Sequence, residues 1–272
     1  MLTRSFLKAS TLHSLAATLL VAMSLPAAAQ GIALPPAGAQ YDSQLGGAYA
    51  PPSGTRIVSR DREESPASGL YNICYVNAFQ TQPQESNWWI ANHPSLLLQR
   101  NGQYIGDPNW PGEILLDTST PAKRTELLAI VCGWIELCAR DGYDAIEADN
   151  LDTYSRSDGA LSTDDNLAFA AELIARAHGL GLAFGQKNSA EMGHRGKAVG
   201  FDFAIVESCQ VYDECDDYTS VFGANVIEIE YTDTDASYFE AACAERGHEI
   251  SVIRRDRNLT IPGKPSYFYR TC

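Results

Sequence analysis

Eight short apolar, β-branched runs recur along this chain, and most are separated by a helical pattern. They span 57–61, 72–79, 114–117, 145–150, 183–188, 203–207, 226–231 and 250–256. Strands that alternate with helices form a mainly parallel sheet joined by right-handed crossovers. Eight such strands imply a sheet closed on itself, so the spacing predicts an α/β fold, a TIM-type (β/α)8 barrel, and 272 residues suit one such domain. The clearest helix spans 122–140. It is entered through Thr120-Pro121 and left at Gly142, with Leu127, Leu128, Val131, Trp134, Ile135 and Cys138 on one face. Others span 163–178, before Gly179, and 237–245, before Gly247. Fewer than a dozen residues separate Asp61 from Asn72, too few for a helical crossover, so the first βα unit is expected to be degenerate.

The end of the chain before the first run reads differently. Arg4 and Lys8 precede an apolar stretch, 15–25, that runs into Ala27-Ala28-Ala29, the three parts of a secretory signal. Residues 1–29 are therefore expected to be a signal peptide, 30–53 an Ala/Pro/Gly-rich lead-in, and 54–272 the barrel domain. A secreted or periplasmic protein follows, and no other segment approaches a membrane span, so stable membrane insertion is not expected. The leader holds two of the 20 Lys and Arg and none of the 34 Asp and Glu, so the exported chain carries 18 against 34, a net of −16. That charge argues against nucleic acid and suits a cationic or neutral ligand.

The chain has seven cysteines, which in an exported protein are expected to form disulfides with one left over. Cys209 and Cys215 enclose a short loop, and Cys243 with Cys272 would pin the end of the chain. No Cys/His cluster has zinc spacing, no Gly-rich phosphate loop or GxSxG elbow occurs, and "TDTDAS" at 232–237 lacks the residues of a calcium loop, so neither metal nor cofactor is expected.

Each run closes on a carboxylate or an amide: Asp61, Asn77, Asp117, Asp149 with Asn150, Asn188 after Lys187, Glu207, Glu230 and Asp256. In a barrel these ends gather at the C-terminal face, where such enzymes carry their sites. Asp and Asn also favour turns and helix caps, so some of the eight are expected without any function. Glu147 and Asp149 resist that reading. Period-2 alternation puts both on one face with Ala145, and a carboxylate inside a barrel is costly unless paired. Asp149 and Glu207 end the fourth and sixth runs, which leaves room between them for a sugar. Glycosidic cleavage needs such a pair, one member to protonate the leaving oxygen and the other to attack the anomeric carbon or activate water. Lys187, on the intervening strand, would keep Asp149 ionised, while Glu207, buried without a cation, would hold its proton. Asn77, Asp117, Glu147, Asn150, Lys187, Asn188, Glu230 and Tyr231 are expected to line the mouth and bind substrate. Trp88, Trp89 and Trp110, in loops beyond strand ends, could stack on sugar faces. Asn258-Leu259-Thr260 is a glycosylation sequon.

With those residues in view, the chain resembles glycoside hydrolase family 114, whose named activity is endo-α-1,4-polygalactosaminidase. The resemblance rests on "YDSQLGG" (41–47), "NICYVNAFQ" (72–80), "WPGEILLD" (110–117), "GYDAIEADNLDTY" (142–154), "AHGLGLAFGQKN" (177–188), "FDFAIVESCQVYDEC" (201–215) and "IEIEY" (227–231), in order along nearly the whole exported chain. It implies a TIM-type barrel, cleavage of α-1,4-linked galactosamine polymers, and a catalytic pair at Asp149 and Glu207. De-N-acetylated galactosamine is cationic near neutral pH, which would make an acidic mouth intelligible. The residues by themselves leave two other readings open: a hydrolase of another α-linked glycan, and a non-catalytic carbohydrate-binding barrel.

Overall fold

The computed structural model describes residues 31–272; the expected signal peptide lies outside them. In chain order the strands are β1 (Tyr41–Ser43), β2 (Ile57–Asp61), β3 (Tyr71–Asn77), β4 (Gln99–Arg100), β5 (Gln103–Tyr104), β6 (Ala145–Asp149), β7 (Ala183–Lys187), β8 (Phe203–Glu207), β9 (Val226–Tyr231), β10 (Ser251–Arg255) and β11 (Tyr269–Thr271). The helices are α1 (Ser86–Asn92), α2 (Pro121–Asp141), α3 (Thr153–Arg156), α4 (Thr163–Gly179), α5 (Gly193–Val199), α6 (Cys209–Tyr212), α7 (Cys215–Phe222) and α8 (Ala236–Arg246). Strands β1, β2, β3, β6, β7, β8, β9 and β10 lie side by side in that order, each parallel to the next, and β11 adds antiparallel to β10.

This is a nearly closed TIM-type barrel with helices on the outside of its later strands. No helix separates β2 from β3, which is the degenerate first unit the sequence predicts. The seam between β1 and β10 is joined by side chains. Arg255 donates to Asp42 Oδ1 at 2.6 Å and to the Ser43 carbonyl, and Ser251 Oγ donates to the Ala39 carbonyl at 2.6 Å.

One predicted strand is wrong and another was hidden. Residues 114–117 are not a barrel strand, since β3 pairs directly with β6, Ile73 opposite Ala145. They form only antiparallel bridges, Gln80 with Leu115, Leu97 with Leu116 and Gly106 with Ile114, inside the long β3–α2 excursion. Leu115 and Leu116 are buried there, so the run is apolar for a local layer that covers the barrel rim. The missing member is β1, three residues within the segment read as lead-in, where Tyr41 pairs with Ile57.

Two helices show why their ends fall where the sequence says. Thr120 caps α2 by accepting from the Lys123 N–H, Pro121 occupies its first turn, and Gly142 ends it at φ 94, a left-handed value that a Cβ would penalise. Ser162 and Asp165 form a reciprocal capping box on α4. The barrel interior is layered. Ile57, Ile73, Ala145, Ala183, Phe203, Ile227 and Ile253 are buried low in it. Gly185 admits the Phe203 ring, because a Cβ there would sit 2.8 Å from Cζ of that ring. Burying a ring of this size contributes roughly 1.5–3 kcal/mol.

Three disulfides form: Cys74–Cys138, Cys209–Cys215 and Cys243–Cys272, with Cys132 unpaired. The second closes the short loop and the third ties the end of the chain, the two pairings the sequence suggests.

Candidate active site

Inward alternation carries each barrel strand from apolar residues below to polar ones at the top. On β6 the inward set is Ala145, Glu147 and Asp149; on β7 it ends in Lys187, on β8 in Glu207, on β9 in Tyr231 and on β3 in Tyr75 and Asn77. Just past three consecutive strands the backbone turns left-handed at non-glycine residues, Asn150 (φ 65), Asn188 (φ 50) and Ser208 (φ 60). Asn tolerates that region better than most residues, and such positions cluster at functional sites.

The centre of the arrangement is the Lys187 ammonium. It lies 3.1 Å from Glu147 Oε1, 3.2 Å from Asp149 Oδ1 and 3.7 Å from Glu207 Oε2. Laid end to end, the 3.2 Å and 3.7 Å legs cap the separation of those Asp149 and Glu207 oxygens at about 6.9 Å. A tyrosine attends each outer carboxylate: Tyr75 donates to Asp149 Oδ2 at 2.8 Å, and Tyr231 donates to Glu207 Oε1. Asn188 donates to Glu207 Oε2 at 3.1 Å and accepts from the Glu207 N–H at 2.9 Å. Arg257 lies 3.8 Å over the Tyr231 ring and pairs with Asp233.

Burial works against charge on Asp149, yet the Lys187 ammonium, the Tyr75 hydroxyl and the Asn150 N–H outweigh it and hold the carboxyl below its ordinary range. On Glu147 burial wins over Lys187 and Ser59, and its carboxyl is pushed up. Burial also disfavours the charged form of Lys187, but Asp149, Glu207 and Glu147 together drive its pKa well above the usual value. The sequence expectation of a Glu207 without a cation is overturned. Lys187 reaches both carboxylates because a residue on the strand between them projects midway, and the Glu207 side chain stays 28% exposed.

A cavity of about 350 Å³ opens above these groups. Of the expected residues it is lined by Asp149, Glu207, Asn150, Lys187, Asn188 and Tyr231. Glu147 and Asn77 are buried beneath it. Glu147 pairs with Lys187 and accepts from Ser59, while Asn77 links Asn150 to Glu113. Asp117 and Glu230 do not line it. Asp117 accepts from the Ser119 N–H and pairs with Lys123 at the start of α2, so it serves the helix. Glu230 neighbours the inward Tyr231 on β9 and must face outward, where it accepts from the Gln210 N–H at 3.1 Å.

Trp110 lines the cavity, whereas Trp88 packs at a tilt against His93 outside it and Trp89 is buried against Trp134. Other lining residues went unrecognised in the sequence: Tyr75, Glu113, Asp107, Arg156 and Arg257. Tyr75 shares the parity of Asn77 on one strand and could have been found; Glu113 sits in a loop with no periodic signal.

An acidic cleft at the C-terminal mouth of a parallel barrel is the site geometry of a TIM-barrel enzyme. Residues 22–272 match Glycoside-hydrolase family GH114; the chain belongs to this family and is a glycosidase. No curated protein sequence matches it. Among solved structures it is similar to Aspergillus fumigatus Ega3 in complex with galactosamine, at 23% identity over 89% of this chain and 98% of that one, with a TM-score of 0.70. It is also similar to the glycoside hydrolase domain of PelA from Pseudomonas aeruginosa, at 15% identity over 83% and 97%, with a TM-score of 0.56. At such identities the likeness is one of fold.

Proposed function

We propose that the protein is an exported glycosidase that cleaves α-1,4-linked, at least partly de-N-acetylated galactosamine polymers by a retaining two-step reaction. The observation that carries this reading is a single buried ammonium, Lys187, in contact with two carboxylates that share one cleft. Asp149, held ionised, attacks the anomeric carbon. As general acid, Glu207 passes a proton to the glycosidic oxygen as the carbon–oxygen bond breaks. In the second step Glu207 takes a proton from water, the resulting hydroxide equivalent attacks the anomeric carbon, and Asp149 leaves. The ceiling of about 6.9 Å on the separation of those two oxygens admits the roughly 5–5.5 Å of retaining pairs and excludes most of the 6.5–9.5 Å inverting range.

Support for the substrate comes from the family, from the solved galactosamine complex of Ega3, and from the excess of acids in the cleft. The test is digestion of α-1,4-galactosaminan followed by proton NMR of the first products. The reading expects new reducing ends in the α configuration. Products that begin as β would refute retention, and an intact polymer would refute the substrate.

A further inference from the structure

The cleft acids are not equivalent. Asp149 and Glu207 share Lys187, and Asp107 and Asp152 both pair with Arg156, at 2.8 and 2.7 Å. Asp61 has a donor on each oxygen, the Gln82 amide at 3.0 Å and the Glu63 N–H at 2.9 Å. Glu113 differs from all of them. Its only side-chain donors are the amides of Gln80, at 2.8 Å, and Asn77, at 3.1 Å, and both go to Oε2. Among the described residues no cation pairs with it and no donor reaches Oε1. Its neighbours Asp149 and Asp107 are anions, and burial, the leading cause, pushes its carboxyl up. Glu113 is only partly buried and lines the cavity, so a ligand cation would meet a carboxylate oxygen that no protein group already occupies.

Its position suggests what that is. The Glu113 N–H donates to the Trp110 carbonyl at 3.1 Å, closing a turn that Gly112 allows at φ 97. The turn is fixed at both sides, by Ser86 Oγ donating to the Gly112 carbonyl at 2.6 Å and the Asp107 N–H donating to the Glu113 carbonyl at 3.0 Å. It presents a half-exposed indole and a carboxylate to one cavity. Asn77 then connects Glu113 to Asn150, the residue after Asp149. A flat aromatic surface suits the apolar face of a pyranose, and a free carboxylate oxygen beside it suits an ammonium on the same ring.

Resting on the function proposed above, we infer that Glu113 is the specificity-determining residue of the cleft: its Oε1 accepts from the ammonium of an amino sugar whose ring lies on Trp110. Selection works largely by rejection. A neutral hydroxyl leaves the Glu113 charge uncompensated, and an acetamido group sets a bulky uncharged substituent against it.

The experiment measures kcat and KM of the wild type and of Glu113→Gln on one galactosamine polymer chemically N-acetylated to graded extents. Glutamine keeps the shape and still accepts from Gln80 and Asn77, and thermal unfolding checks that the variant is folded. Wild-type KM should rise steeply with acetylation. The variant's KM on the least acetylated polymer should be about 10- to 100-fold higher, the worth of one charge-assisted hydrogen bond, with kcat moving far less. Its KM should then change little along the series. A variant whose KM tracks acetylation as the wild type's does would overturn the inference and leave the glycosidase intact. A wild type that cleaves no member of the series would remove the proposed function, and this inference with it.

Discussion

Lys187 compensates three carboxylates at once, and its value depends on being unable to leave them: the side chain is 4% exposed and braced from below by Glu147. Glu230 shows the opposite fate of an acid on the neighbouring face. Its Oε2 has no partner, Glu228 adds repulsion, and Arg246 and Arg257 compensate only in part, so its carboxyl is pushed up to about 7, chiefly by burial. A folded pKa above the unfolded one means that the contribution to stability is fully present below about 4.5 and is lost as pH rises through about 7. Glu230→Gln should therefore gain stability relative to the wild type as pH increases across that window. Thermal unfolding of both proteins from pH 4.5 to 8 reads this directly, and parallel curves would contradict it.

At the scale of elements, β3 and α2 are joined covalently through Cys74 and Cys138, 64 residues apart, while Cys209 and Cys215 close a loop only 6 residues long. Constraint of the unfolded chain grows with loop length, so Cys74→Ala/Cys138→Ala should cost about 2–5 kcal/mol in urea unfolding, and removing the short loop's pair should cost less. The reverse order would contradict the account. Elements were legible where two local signals agreed. Thr120-Pro121 and Gly142 bounded α2 to within a residue, and Gly179 marked the end of α4 as closely. They were illegible where a run was short or its neighbours unknown. Nothing in "YDS" marks β1, whose strand identity comes from pairing with β2, and "ILLD" has the apolar character of a strand because it packs over the barrel rim.

For the whole molecule, the exchange of 114–117 for β1 left the number of parallel barrel strands at eight and kept Asp149 and Glu207 on the fourth and sixth of them. That is why the pair could be found without the correct strand list. Residues set by strand parity were readable in this way, as Lys187 and Tyr231 show. Parity also excludes Glu230, since adjacent strand residues face opposite sides. Glu113 was unreadable, because its place in the cleft depends on a loop folded by contacts distant in sequence. The central claim is that this barrel cleaves a galactosamine polymer through Asp149 and Glu207. Its most direct test is reducing-end release from α-1,4-galactosaminan by the wild type, Asp149→Asn and Glu207→Gln, each shown to be folded. The account predicts that each substitution lowers turnover by about a thousand-fold or more. Turnover near the wild-type level in either variant would contradict it.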